Sequence, residues 1–145
     1  MIASRSTFPV PRRGFSLIEL LLVLVILAVL AAVVAPRFAS RSEQARETAA
    51  MTDISNLETA LGTFEVDNGR YPSNDEGLRA LVEEPNNLDT WRGPYIRRGV
   101  PNDPWGNEYV YRYPGQNNEY TYDLSSRGAD GQEGTDDDIT NWATD

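Results

Sequence analysis

From Leu17 to Ala35 every position is apolar except Glu19. At 1.5 Å per residue that run spans roughly 28 Å, close to the ~30 Å hydrocarbon thickness of a bilayer, so it predicts a membrane-crossing helix. Beyond Pro36 the pattern changes. Ala45, Ala49, Ala50, Ile54, Leu57, Leu61 and Phe64 recur at spacings of three and four, with Arg41, Glu43, Arg46, Glu47, Asp53, Glu58 and Glu65 between them. This is an amphipathic helix with one face for a core. Pro36 removes one backbone donor and is expected to kink the helix rather than end it, because good helix formers resume at once. Asn68-Gly69 supplies the stop. Phe15 to Asn68 thus reads as one kinked element of about 54 residues, roughly 80 Å long. A small domain can bury only its second half; the first half needs a membrane or sibling helices.

Shorter elements follow. Ser73 or Asn74 can cap a short helix with Asp75 and Glu76 at its positive end, an apolar stripe of Leu78, Leu81 and Val82, and Pro85 closing it. Residues 86–106 are irregular, with Trp91, Tyr95 and Trp105 as anchors, and Val100 to Asn107 is turn chemistry. Two strands are predicted, Glu108 to Tyr113 and Glu119 to Leu124. Tyr109, Tyr111 and Tyr113 then share one face, as do Tyr120 and Tyr122, and both rows are read as packing a sheet over a helix.

Charge orients the apolar run. Arg5, Arg12 and Arg13 precede it, so the N-terminus stays in the cytoplasm and the remainder crosses. A secretory signal peptide fits less well: its core is ordinarily ~7–15 residues, and a site after Ala35 is blocked by Pro36. An acid within the span costs on the order of 2–3 kcal/mol at the centre and less near an end, so Glu19 either meets a partner or reaches the cytoplasmic interface.

Of the chain's 145 residues, 22 are acidic and 13 basic, for a net charge of −9, which disfavours nucleic-acid binding. Cysteine and histidine are absent, which excludes disulfides, Cys or His catalysis and Cys/His zinc sites. Asp103 and Glu108 are the one carboxylate pair to weigh for hydrolysis, and nothing in the sequence marks a cleft around them. The glycine-rich stretch from Ser125 to Trp142 crowds Asp130, Glu133, Asp136, Asp137 and Asp138 against Arg127 alone. Such a loop is either a solvated turn or neutralised by a cation, and oxygen ligands at flexible spacing suit calcium without matching an EF-hand.

Gly14-Phe15-Ser16-Leu17-Ile18-Glu19, with basic residues before it and an apolar run after it, resembles the prepilin cleavage motif. The resemblance implies cleavage by a prepilin peptidase between Gly14 and Phe15 and N-methylation of Phe15. The new α-amino group is a cation able to pair with Glu19 of a neighbouring subunit, which makes that acid an assembly register. Losing the three leader arginines takes the side-chain charge from −9 to −12.

Further blocks are similar to the major pseudopilin family of type II secretion systems. They are Tyr71-Pro72, Gly77 to Val82, Asp103-Pro104-Trp105-Gly106, Gly128 to Gly131 and Asp138 to Trp142, in the family's order. The resemblance implies an α+β, type IV pilin-like fold: a long kinked N-terminal helix on a small antiparallel sheet, with a calcium-binding C-terminal loop. Its parts are a leader at 1–14, a transmembrane and assembly half at 15–35, and a periplasmic domain at 36–145. Calcium ligands carried over by motif are Asp130, Asp138, one of Asp136 or Asp137, and carbonyls such as that of Arg127. The implied function is non-enzymatic: homo-polymerisation into a periplasmic pseudopilus, with minor pseudopilins and an inner-membrane assembly platform as partners. The alternative of another class is a pilin-like fibre for adhesion or DNA uptake, which a basic face or a C-terminal cysteine pair would favour; neither is present.

Overall fold

The three-and-four spacing becomes a single helical assignment, α1, from Leu17 to Asn68. The computed structural model describes residues 14–142, with residues 35–40 described in their backbone only. Leader residues 1–13 lie outside that range. α1 continues through Pro36, as expected from the helix formers that follow it. It stops where Gly69 takes φ +69° and its N–H bonds to the Glu65 carbonyl at 2.7 Å, a left-handed cap that glycine makes without a Cβ clash.

The chain divides into two units, one ending at Ser40 and one beginning at Arg41. In the first, every side chain from Gly14 to Val34 is exposed. The window Leu17–Val34 has a mean hydropathy of 3.2, and none of it is buried. Apolar surface of that extent is not left in water.

In the second unit the helix supplies Ile54, Leu57, Leu61 and Phe64, all at most 4% exposed, to a core completed by Leu78, Leu81, Tyr109, Tyr122 and Leu124. The core begins at Ala50. Ala45 and Ala49, expected on the same stripe, are exposed. On the outer face Thr48, Thr52, Thr59 and Thr63 donate their hydroxyls to carbonyls four residues back, which is how these poor helix formers are accommodated.

The short helix forms as a 3-10 turn, η1, over Gly77–Leu81. Neither expected cap works as read. Ser73 and Glu76 exchange bonds one turn earlier, Glu76 N–H to Ser73 Oγ and Ser73 N–H to Glu76 Oε2. Asn74 instead reaches across to Tyr113, accepting its N–H and donating to its carbonyl, both at 2.8 Å.

The sheet is antiparallel and ordered β1-β2-β3: β1 is Val110–Arg112, β2 Asp123–Ser126 and β3 Ile139–Thr140. Val110 faces Ser125, and Ser125 faces Thr140 in turn. The second strand begins four residues later than expected. Asp123 causes this, because its carboxylate accepts the N–H groups of Gln116, Asn117 and Asn118 and converts the preceding residues into a structured loop. Those donors outweigh the effect of burial and hold the Asp123 carboxyl below its ordinary range. Tyr122 is therefore buried while Tyr120, expected on the same face, points to solvent. The other tyrosines do pack: Tyr71 meets Tyr113 and Tyr122 edge-on, at centroid distances of 5.6 and 4.9 Å.

Candidate functional site

Two regions carry the chemistry expected from the sequence, one in each unit. At the N-terminal end, residues 14–16 are not helical, and α1 starts after them, with the Ser16 carbonyl accepting the N–H groups of Glu19 and Leu20. The Gly14–Phe15 bond thus lies in non-helical, exposed chain, and Phe15 is 78% exposed. Glu19 sits in the first turn, where the helix dipole favours a carboxylate. Among the described residues it has no ion-pair partner.

The second region is the loop between β2 and β3. Its entrance is held by Ser126, which is fully buried and donates its hydroxyl to Asp103 Oδ2 at 2.6 Å. Gly128 follows with φ +59°, so close to Asp137 that a Cβ there would collide with the Asp137 carbonyl. Asp137 organises the loop: Oδ2 accepts the Asp130 N–H at 2.9 Å and Oδ1 accepts the Thr135 hydroxyl at 2.7 Å. These donors, the Thr135 hydroxyl first, hold its carboxyl below the ordinary range. Glu133 pairs with Arg112 of β1.

The aspartates do not converge. Asp130 turns back on Gln132, accepting its N–H at 2.8 Å; Asp136 is exposed; Asp138 Oδ2 accepts the Gly134 N–H at 2.7 Å. Among the described residues no three carboxyl groups meet at metal-holding distance. One atom nevertheless fits a cation. Asp138 Oδ1 is buried without a hydrogen-bond partner, the one such side-chain atom among the described residues. A buried carboxylate oxygen left without a donor is costly, and a carboxylate oxygen is a donor of the type hard cations take.

The loop's exit is closed by Asn141. Its Oδ1 accepts the Leu124 N–H at 2.8 Å and its Nδ2 donates to Glu58 of α1 at 3.2 Å, joining sheet and helix. Nothing in the residue type announced this role. The carboxylate pair weighed for hydrolysis separates into two unrelated groups. Asp103, 4% exposed, closes its own turn by accepting the N–H groups of Trp105 and Asn107. That turn aims Trp105 at α1, where Nε1 donates to Glu43 at 2.7 Å. Glu108 is exposed and lines an open pocket of about 470 Å³ beside η1.

Comparison with known proteins agrees with this geometry. Residues 37–142 match the family described as type II secretion system (T2SS), protein G, and residues 11–35 match the prokaryotic N-terminal methylation motif. The chain is 44% identical over 135 residues to the type II secretion system core protein G of Escherichia coli K12, covering 90% of this chain and 91% of that one. It is 47% identical over 135 residues to the protein of the same description from Vibrio cholerae, covering 89% and 90%. Among solved structures it is similar to the major pseudopilin from the type 2 secretion system of enterohaemorrhagic Escherichia coli, with a TM-score of 0.63 and 40% identity, covering 72% of this chain and 92% of that one. With a long apolar helix, a small antiparallel sheet and these matches end to end, the chain belongs to the type II secretion system protein G family.

Proposed function

We infer that this chain is the major subunit of a type II secretion pseudopilus, a structural protein and not an enzyme, whose polymerisation supports export of folded proteins across the outer membrane. The observation that carries this reading is the fully exposed run Leu17–Val34 joined to a family-matched domain with its own core. Such a helix is stable in lipid before assembly and among sibling helices afterwards.

Maturation removes residues 1–14, and the methylated Phe15 amine pairs with Glu19 of a neighbour. Before assembly the chain spans the inner membrane once, N-terminus in the cytoplasm and domain in the periplasm. A prepilin peptidase, the inner-membrane assembly platform and minor pseudopilins are its partners. In the C-terminal loop, Asp138 and Asp130 with the Arg127 carbonyl would hold calcium, and either Asp136 or Asp137 adds a third carboxylate. Asp137 would enter with Oδ1 already accepting from the Thr135 hydroxyl and Oδ2 from the Asp130 N–H. Calcium supplies charge neutralisation to a segment whose acids otherwise repel.

Gly14→Ala is expected to leave an uncut precursor whose mass retains residues 1–14 and which yields no sheared filament; normal maturation of that variant overturns the processing assignment. The calcium assignment is checked by melting in calcium and in excess chelator, since a ligand that binds the folded state raises its melting temperature. Coincident melts remove it.

A further inference from the structure

Tyr120 is 94% exposed at the crown of the loop between β1 and β2. The loop beneath it is fixed. Three backbone N–H groups converge on the Asp123 carboxylate, and the Asn118 amide reaches the Tyr122 carbonyl at 3.1 Å and Asn141 at 3.3 Å. The ring itself stands in water above this loop. Glu119 beside it is exposed and has no ion-pair partner among the described residues.

A complementary cavity exists elsewhere in the same unit. Asp53, Asn56 and Leu57 of α1, with Ile96, Arg98, Gly99 and Pro101, enclose about 250 Å³. Leu57, Ile96 and Pro101 give it apolar walls. Arg98 lines it, is exposed, and is likewise without an ion-pair partner among the described residues.

Helix geometry separates the two features. Asn56 lines the cavity, while Glu58 accepts the Asn141 amide, and Asn141 in turn accepts from Asn118 of the Tyr120 loop. At about 100° of rotation per residue, Asp53, Asn56 and Leu57 stand roughly 100–160° from Glu58, so cavity and knob lie on different flanks of α1.

We propose that Tyr120 of one subunit docks in this cavity of the next, with its ring against Leu57, Ile96 and Pro101 and Glu119 alongside meeting Arg98. The occupant is a second copy of this chain, and the proposal rests on its reading as a polymerising subunit. Mature copies, with a side-chain charge of −12 once the three leader arginines are gone, repel one another, so a contact between them needs a local cation-to-acid match, which Arg98 and Glu119 provide. A knob and a hole on different flanks make a head-to-tail contact, which leaves a free knob and a free hole after each addition and so propagates. An aromatic ring carries most of the area gained, and Arg98 over its face adds a cation–π attraction.

The chain contains no cysteine, so cross-linking reports the contact directly. Full-length chain carrying both Asn56→Cys and Thr121→Cys, which keeps the Tyr120 ring and places a thiol on the exposed residue beside it, is expected, when assembled in a secretion-competent host and oxidised, to give a covalent ladder on non-reducing gels. Co-expressed single variants are expected to stop at dimers. Filaments that form without an adduct between positions 56 and 121 overturn the proposal. Independently, Arg98→Glu is expected to lower the yield of sheared filament about tenfold, and Glu119→Arg in the same chain to restore it. An unchanged yield, or a loss that the second substitution does not restore, also overturns it. If the unsubstituted chain forms no filament, the polymerisation reading falls and takes this contact with it.

Discussion

Asp103→Ala separates a structural carboxylate from a catalytic one. The substitution removes the acceptor of three bonds, from Ser126 Oγ at 2.6 Å, Asn107 N at 2.8 Å and Trp105 N at 3.1 Å. Ser126 is fully buried, so its hydroxyl cannot turn to water, and a donor stranded in that way costs roughly 1–3 kcal/mol. The two turn N–H groups belong to half-buried residues and recover part of their loss from solvent. The sum is about 3–4 kcal/mol, a large share of the ~5–15 kcal/mol that holds a domain together, and it lowers the melting temperature by roughly 15 °C. Asp103→Asn keeps one acceptor for the turn and presents its amide to Ser126 Oγ, so about 1–2 kcal/mol is lost. Glu108→Ala, exposed and outside any bond, stays within about 0.5 kcal/mol. Thermal and urea unfolding of the unit beginning at Arg41, followed by circular dichroism, ranks the three variants. A melt of Asp103→Ala within a degree or two of the parent, or Asn costing more than Ala, refutes the reasoning. Removing a carboxylate kept for chemistry leaves the fold unharmed or steadier.

Two further perturbations test local devices. Arg70 donates to both Glu76 oxygens at 2.7 Å and holds that carboxyl at about 2, from an ordinary 4.5. The folded value lies below the unfolded one, so the stabilisation is complete above pH 4.5 and is lost as pH falls from there toward 2. The full shift corresponds to roughly 3 kcal/mol. With Arg70 39% open to solvent, about 1 kcal/mol survives screening. Glu76→Gln is expected to flatten that acid limb of the melting curve, and an unaltered limb counts against the pair. Gly128→Ala forces a side chain into a left-handed backbone and against the Asp137 carbonyl, so a loss of about 2 kcal/mol is expected. Gly128→Asn, which tolerates the backbone but not the collision, fares no better; its recovery of the parent melting temperature defeats the steric argument.

What was legible in the sequence was local. The spacing Ile54, Leu57, Leu61, Phe64 is a helix face wherever it occurs, and Asn68-Gly69 stops a helix by backbone geometry alone. The misplaced Ala45 and Ala49 show the limit: periodicity says which residues share a face, not how far along the helix the domain reaches. Strand β2 was displaced because Asp123 and Tyr122 both suit the middle of a strand or the end of a loop, and only the three N–H groups meeting the Asp123 carboxylate decide between them. Asn74, Trp105 and Asn141 act across 39, 62 and 83 residues of chain. An asparagine carries no mark of which distant carbonyl it will meet, so these couplings needed coordinates.

Those long-range bonds also determine what a cation in the C-terminal loop can influence. The entrance is fixed by Ser126 on Asp103, the exit by Asn141 on Leu124 and Glu58, and the middle by Glu133 on Arg112. None of these groups is among the aspartates proposed as ligands. Both ends of the loop are therefore tied by hydrogen bonds and its middle by an ion pair, and within the loop the acids without a cationic partner are Asp130 and residues 136–138. Neutralising that charge orders the segment between two fixed ends, where little chain entropy remains to be lost. A cation bound as proposed would thus act on the loop while the core built on Leu57, Leu61 and Phe64 keeps its packing.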